Sequence, residues 1–157
     1  MYQRIFVAVD SSPTSTRGLD EAIGLGRVTG ARLLLAHVVD ELVFSPGFEP
    51  GATYMNDVLP QLRRRGQEVL QAALARAEAA GLPAESRLLE CFAARTSDVL
   101  LNEASAWGAD LLVLGTHGRR GIGRLLLGSD AEQILRASTV PVLLVRDVGS
   151  SGSSPAP

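Results

Sequence analysis

Four short runs rich in Val, Ile and Leu punctuate the chain, at Arg4–Val9, Arg32–Val39, Leu111–Leu114 and Val140–Val145, and helix-length intervals separate them. None alternates apolar with polar residues as a half-exposed strand does, so both faces are expected to be covered, as in a parallel sheet packed by helices. A weaker fifth strand is expected at Glu85–Cys91. Between the strands the apolar period lengthens to that of a helix. Ser12 followed by Pro13 reads as an N-cap with proline at the first helical position, and Leu19, Ala22, Ile23 and Gly26 line one face up to a stop at Gly30. From Asn56 to Ala80, the residues Leu62, Gly66, Val69, Ala73, Ala77 and Ala80 recur at steps of three and four before Gly81 and Pro83. A third helix is expected over Thr96–Trp107, with Asp98 in its first turn and Gly108 as its stop, and a fourth from Gly128 to about Ala137.

The elements therefore alternate β-α-β-α-β-α-β-α-β, which predicts an α/β fold, an open doubly wound parallel sheet with helices on both faces. In such sheets ligands bind beyond the carboxyl ends of the strands, where the strand order switches direction. The segment Glu41–Thr53, with Pro46, Gly47, Pro50 and Gly51, is long enough to serve as a lid at that edge. Residues 1–147 read as one domain and 148–157 as a disordered tail, since everything from Gly149 onward is Gly, Ser, Pro or Ala.

Composition narrows the chemistry. The chain has 157 residues, 46% of them hydrophobic and 20% charged, with a net charge of −2, enough for a core without disulfide or metal staples. Nothing in that balance attracts a polyanion, so no nucleic-acid partner is expected, and no apolar run approaches the length of a membrane span. The single cysteine, Cys91, reads as a small buried hydrophobe, and together with the absence of a signal peptide it suggests a cytoplasmic protein. All 15 basic residues are Arg, which removes lysine Schiff-base chemistry and the P-loop lysine.

Candidate chemistry concentrates in Gly115-Thr116-His117-Gly118-Arg119-Arg120-Gly121-Ile122-Gly123-Arg124-Leu125-Leu126-Leu127-Gly128-Ser129, where five glycines and three arginines join a buried strand to a helix start. Glycine permits positive φ and close approach of a ligand, and the following helix terminus offers free N–H groups to an anion, as phosphate binding requires. Gly123 to Gly128 has P-loop spacing, yet Ser129 stands where lysine is needed, and no G-x-G-x-x-G follows the first strand, where Asp10-Ser11-Ser12-Pro13 is found instead.

With these residues in place the chain resembles the universal stress protein family, in its nucleotide-binding branch, over about residues 2 to 147. The family's G-x2-G-x9-G-[ST] pattern is met by Gly115, Gly118, Gly128 and Ser129. Supporting matches are Val7-Ala8-Val9-Asp10, His37-Val38-Val39-Asp40, Gly108-Ala109-Asp110-Leu111 and Val140-Pro141-Val142-Leu143-Leu144-Val145. The resemblance implies an adenine nucleotide alpha hydrolase-like sheet of strand order 3-2-1-4-5 that binds ATP or a related adenine nucleotide. It places Ala8, Val9, Asp10 and Val38 at adenine and ribose, and Leu114, Gly115, Gly118, Gly128, Ser129 and Asp130 around ribose and phosphates. Asp10 is suited to accept ribose hydroxyls, Val38 to offer backbone groups and an apolar wall, and Ser129 to donate N–H and O–H to a phosphate. Arg119 or Arg120 would neutralise phosphate charge.

Asp130 departs from the family pattern, which often has valine there. The simpler reading is complementation of the helix dipole, and the alternatives are a hold on Mg²⁺ or repulsion of a triphosphate. His37 lies inside an apolar strand and reads as a hydrogen-bonded core residue. His117, within the phosphate loop, has no clear orienting carboxylate. Arg63-Arg64-Arg65 reads as a solvated patch, with Glu68 a candidate partner for Arg65. No catalytic residue and no metal site is assigned, and the chain is expected to be a nucleotide-dependent stress-response or signalling module. The other readings are a slow ATP hydrolase using His117 and a structural dimer module without nucleotide. An apolar last strand at a sheet edge points to a homodimer formed through it, as the resemblance also implies.

Overall fold

The computed structural model of the protein describes residues 1–40, 54–91, 94–116 and 127–146. Five strands, β1 (Arg4–Ala8), β2 (Arg32–Asp40), β3 (Ala84–Cys91), β4 (Leu111–Gly115) and β5 (Val142–Val145), form one parallel sheet in the order β3-β2-β1-β4-β5. Helices α1 (Pro13–Thr29), α2 (Leu59–Ala79), α3 (Thr96–Trp107) and α4 (Ser129–Ala137) connect them. The predicted alternation, strand order and edge position of the last strand are all observed. The proposed lid Glu41–Thr53, most of the glycine-rich loop (117–126) and the tail 148–157 lie outside the described residues.

Two cores follow from the period of two along each central strand. On one face, Ile5, Val7, Leu33, Leu35 and Val113 pack against Leu19 and Ala22 of α1 and Leu70, Ala73 and Ala77 of α2. On the other, Phe6, Leu34, Ala36, Leu112 and Leu114 pack against Leu100, Ala104 and Trp107 of α3 and Ile134 of α4. Each fully buried Leu, Ile or Phe contributes about 1.5–3 kcal/mol relative to exposure.

Element ends have identifiable causes. Ser12 caps α1, its Oγ accepting the Ser15 N–H at 3.2 Å, and Pro13 begins the helix as predicted. Gly30 and Gly108 terminate α1 and α3 at φ of 74° and 75°, a left-handed conformation that disfavours other residues. The helix predicted from Asn56 instead opens as a π-helical turn, Tyr54–Val58, and becomes regular at Leu59. Pro60 has no amide for an upstream carbonyl and fits only the first helical turn. The last strand starts at Val142 rather than Val140, because Pro141 cannot donate to a ladder and contributes only its carbonyl, to the Leu112 N–H at 3.0 Å.

At the amino-terminal edge of the sheet, Asp110 accepts the Gln3 and Arg4 amides at 2.8 and 3.0 Å and clamps the starts of β1 and β4 together. The Arg4 guanidinium lies over Trp107, 4.7 Å from the ring centroid.

Candidate functional site

The strand order reverses between β1 and β4, the point at which an open parallel sheet leaves a crevice beyond its carboxyl ends. Val9 extends the β1 ladder by one bond, donating its N–H to the Ala36 carbonyl at 2.8 Å. The next amide, on Asp10, turns away and donates to Ser15 Oγ at 2.8 Å, which ends pairing with β4. The Asp10 carboxylate folds back so that Oδ1 accepts the Ser12 N–H at 2.7 Å, a local turn that fixes a half-buried carboxylate at the tip of β1. Its Oδ2 accepts no hydrogen bond from the described residues.

Neighbouring strands run on past this point. The Ala36 carbonyl faces β1, so alternation along β2 directs the Val38 N–H and C=O to the same side, beyond the end of β1. On β4, the Leu112 and Thr116 amides face β5, donating to Pro141 and Val145, so the polar groups of Gly115 face β1. Backbone polar groups of Val38 and Gly115 thus flank Asp10 from either side. Side chains of Ala8, Val38 and Leu114 share the sheet face covered by α3 and α4, and that face gives the crevice an apolar wall. The Val9 side chain points to the opposite core, and its carbonyl accepts from His37 Nδ1 at 2.7 Å, so Val9 presents backbone rather than side chain.

Gly115 is required for packing as well. A Cβ there would stand 2.7 Å from Thr14 Oγ1 and 3.0 Å from the Ser15 amide nitrogen, so only glycine lets the first turn of α1 rest on the end of β4. Neither Gly115 nor Gly128 adopts positive φ; Gly128 has φ −60° and ψ 144°. The conformational part of the glycine argument therefore does not apply at these two positions, while close approach does.

After the glycine-rich segment the chain returns to the strand it left: the Gly128 N–H donates to the Thr116 carbonyl at 2.9 Å. That bond sets the start of α4 against the exit of β4. Gly128 occupies the N-cap position, where it has no side chain to cap the helix, and α4 starts beside the exit of β4. Ser129 and Asp130 begin the helix and are exposed, with Asp130 and Glu132 as acidic residues in the first turn. Of the sequence-predicted residues, the structure brings Ala8, Val9, Asp10, Val38, Leu114, Gly115, Gly128, Ser129 and Asp130 to one edge of the sheet. Gly118, His117, Arg119 and Arg120 lie outside the described residues. Sequence reading missed Thr116, whose buried backbone joins β5, β4 and α4, and Ser15, which diverts Asp10; small polar residues of this kind carry no periodic signal.

His37 is 3% exposed with Nδ1 bonded to a backbone carbonyl, which makes that nitrogen the protonated one and the residue a core element, as expected. Cys91 is likewise buried, its thiol donating to the Ala94 carbonyl. The arginine patch differs from expectation. Arg63 makes a bidentate pair with Glu90 at 2.7 and 2.9 Å, and Glu68 faces Arg64 at 3.8 Å rather than Arg65, because four residues bring side chains onto one helical face with glutamate within reach. On β3, the Arg63 hydrogen bond holds the Glu90 carboxyl below its usual range, and the bond to Glu103 raises Arg87. Among the described residues no group of three His, Cys, Asp or Glu is arranged to hold a metal, and no helix is long and apolar enough to cross a membrane.

Comparison with known proteins agrees with this architecture. The sequence pattern of the Universal stress protein family matches residues 1–146. A universal stress protein of Thermus aquaticus is 32% identical over 146 residues, covering 93% of this chain and all of the relative. The crystal structure of a family protein from Burkholderia pseudomallei superposes with a TM-score of 0.73 at 33% identity, covering 92% of this chain and 96% of that one. A universal stress protein solved in complex with cAMP superposes with a TM-score of 0.64 at 29% identity, covering 92% and 97% of the two chains. The chain belongs to the universal stress protein family.

Proposed function

We propose that this protein binds an adenine nucleotide, ATP in the first instance, in the crevice above β1, and acts in stress response or signalling through the occupancy of that site. One observation carries the reading. The Gly128–Thr116 bond holds the amino terminus of α4 beside a strand exit where Asp10 is flanked by backbone groups of Val38 and Gly115. An anionic tail at the helix terminus, a hydroxyl-bearing ring at the Asp10 carboxylate and a flat base against Val38, Ala8 and Leu114 match the polarity of those three regions. The cAMP complex of a relative gives independent support for an adenine nucleotide as the ligand class. Gly115, Gly118, Gly128 and Ser129 would take the phosphates, Val9 would line the ring by its backbone, and Asp130 complements the helix dipole. Mg²⁺, when present, would shield the phosphate charge.

Equilibrium dialysis of labelled ATP against the purified chain tests this. Wild type is expected to bind one nucleotide per chain. Asp10→Ala, with an unchanged far-ultraviolet spectrum, is expected to bind about tenfold more weakly through loss of a charged hydrogen-bond acceptor. Equal binding by both proteins would remove Asp10 from the site, and no binding by wild type to ATP, AMP or cAMP would end the reading.

We further propose that two copies pair through β5. Its outer edge belongs to an apolar strand, Val142-Leu143-Leu144-Val145, with no charged residue to discourage pairing, whereas the opposite edge strand β3 carries Glu85, Arg87 and Glu90. Sedimentation equilibrium should return twice the 16.6 kDa of the chain, and a single-chain mass at micromolar concentration would contradict the pairing.

A further inference from the structure

We propose a second small-molecule site, in the cavity between α1 and α2, that takes an amphipathic monoanion, an apolar body bearing one carboxylate. The inference does not rest on nucleotide binding. The cavity encloses about 560 Å³, within the range of sites that hold small ligands. Both helices pack on the sheet but make few contacts with each other, and the gap between them is floored by Val9, His37 and Val39. Leu19 forms the α1 wall, and Leu62, Val69 and Ala73 the α2 wall. This is the sheet face opposite the one that carries the side chains of Ala8, Val38 and Leu114, and the two sites adjoin only at Val9 and Asp10. The α2 wall is lined in part by the small residues Ala72 and Ala73, and next to it Gly66 lets α2 seat closely on the sheet, where a Cβ would lie 2.6 Å from Leu88 Cδ1 and 2.8 Å from His37 Cδ2.

Charge at the rim selects the ligand. Four charged side chains line the cavity, Asp10, Arg65, Glu68 and Arg76. Arg76 pairs with Asp20, Glu68 with Arg64, and Asp10 accepts the Ser12 amide. Two of the three lining hydroxyls are engaged, Ser15 with the Asp10 amide and Thr16 with the Ser12 carbonyl, and Ser11 adds a neutral hydroxyl at the rim. Arg65 has no ion pair or hydrogen bond with any described residue. One uncompensated guanidinium at the edge of an apolar cavity favours a single carboxylate attached to a hydrocarbon or ring body. Asp10 and Glu68 on the same rim disfavour a polyanion, and Arg65 disfavours a cation.

Titration calorimetry with octanoate, and with octanol as its uncharged counterpart, distinguishes the outcomes. Octanoate is expected to bind wild type more tightly than octanol does. Arg65→Gln, at an exposed helix position, should weaken octanoate by about three- to fivefold and leave octanol unchanged, the scale of a partly solvated ion pair. Ala72→Trp, also exposed and lining the cavity, should abolish binding of both while the melting curve stays cooperative. The proposal is overturned if octanoate fails to bind, if Arg65→Gln binds it as wild type does, if Ala72→Trp retains it, or if ATP displaces it.

Discussion

Gly115 carries two demands at once, since the residue that ends β4 beside the crevice also receives the first turn of α1. A Cβ at 2.7 Å from Thr14 Oγ1 and 3.0 Å from backbone atoms of Thr14 and Ser15 has nowhere to go without moving the helix. Gly115→Ala is therefore expected to lower stability by about 1–3 kcal/mol, the range for overpacking a rigid contact, measured as a shift of the urea midpoint at constant slope. An unshifted midpoint would mean that α1 yields easily. Sequence reading located Gly115 from its place after an apolar strand, yet attributed it to positive φ and ligand approach, because nothing local announces that Thr14, far earlier in the chain, lies against it. Asp10 was legible as a strand-end carboxylate. The Ser12 and Ser15 bonds that orient it were not, since serine near a helix start signals a cap and nothing more.

Among the elements, α2 and β3 are joined by the Arg63–Glu90 pair, with side chains 42% and 31% exposed. The guanidinium bond depresses the Glu90 pKa in the folded protein below its ordinary value near 4.5. A carboxyl with a lowered folded pKa stabilises the fold fully above its unfolded pKa and loses that contribution as pH falls through the folded one. Solvent screening limits the pair to about 0.2–1 kcal/mol. Arg63→Met should thus be less stable than wild type by that amount at pH 7, with the difference closing as pH falls from the ordinary carboxylate range through the lowered Glu90 value; a deficit independent of pH would assign the effect to packing instead. Element by element, the sequence was read well where periodicity is strong. The α1 face of Leu19, Ala22, Ile23 and Gly26 is the packed one, and α3 has its predicted bounds. Reading was weaker where a proline acts on its neighbours, as at the π-helical turn before Pro60 and at Pro141 before β5. A missing amide shifts an element's start by residues that retain the right hydrophobicity.

For the whole molecule, alternation of buried strands and helices fixed the sheet as parallel, and the resemblance supplied its order. The crevice then follows from topology, because β1 lies where helices cross to opposite faces and its end is left between β2 and β4. The cavity between α1 and α2 was not legible, since it depends on how far apart two helices settle on one sheet and on small residues at Ala72 and Ala73 that in sequence resemble an ordinary packed face. Ligand binding to the native state alone raises folding stability by mass action, by roughly 2.7 kcal/mol at a hundred times the dissociation constant. The most direct measurement is the urea midpoint of the full chain in increasing ATP with Mg²⁺, alongside AMP, cAMP and GTP. A midpoint that climbs logarithmically with adenine nucleotide, and that Asp10→Ala blunts, is the expected result; a midpoint unmoved by every adenine nucleotide at millimolar concentration would contradict nucleotide binding at the β1 crevice.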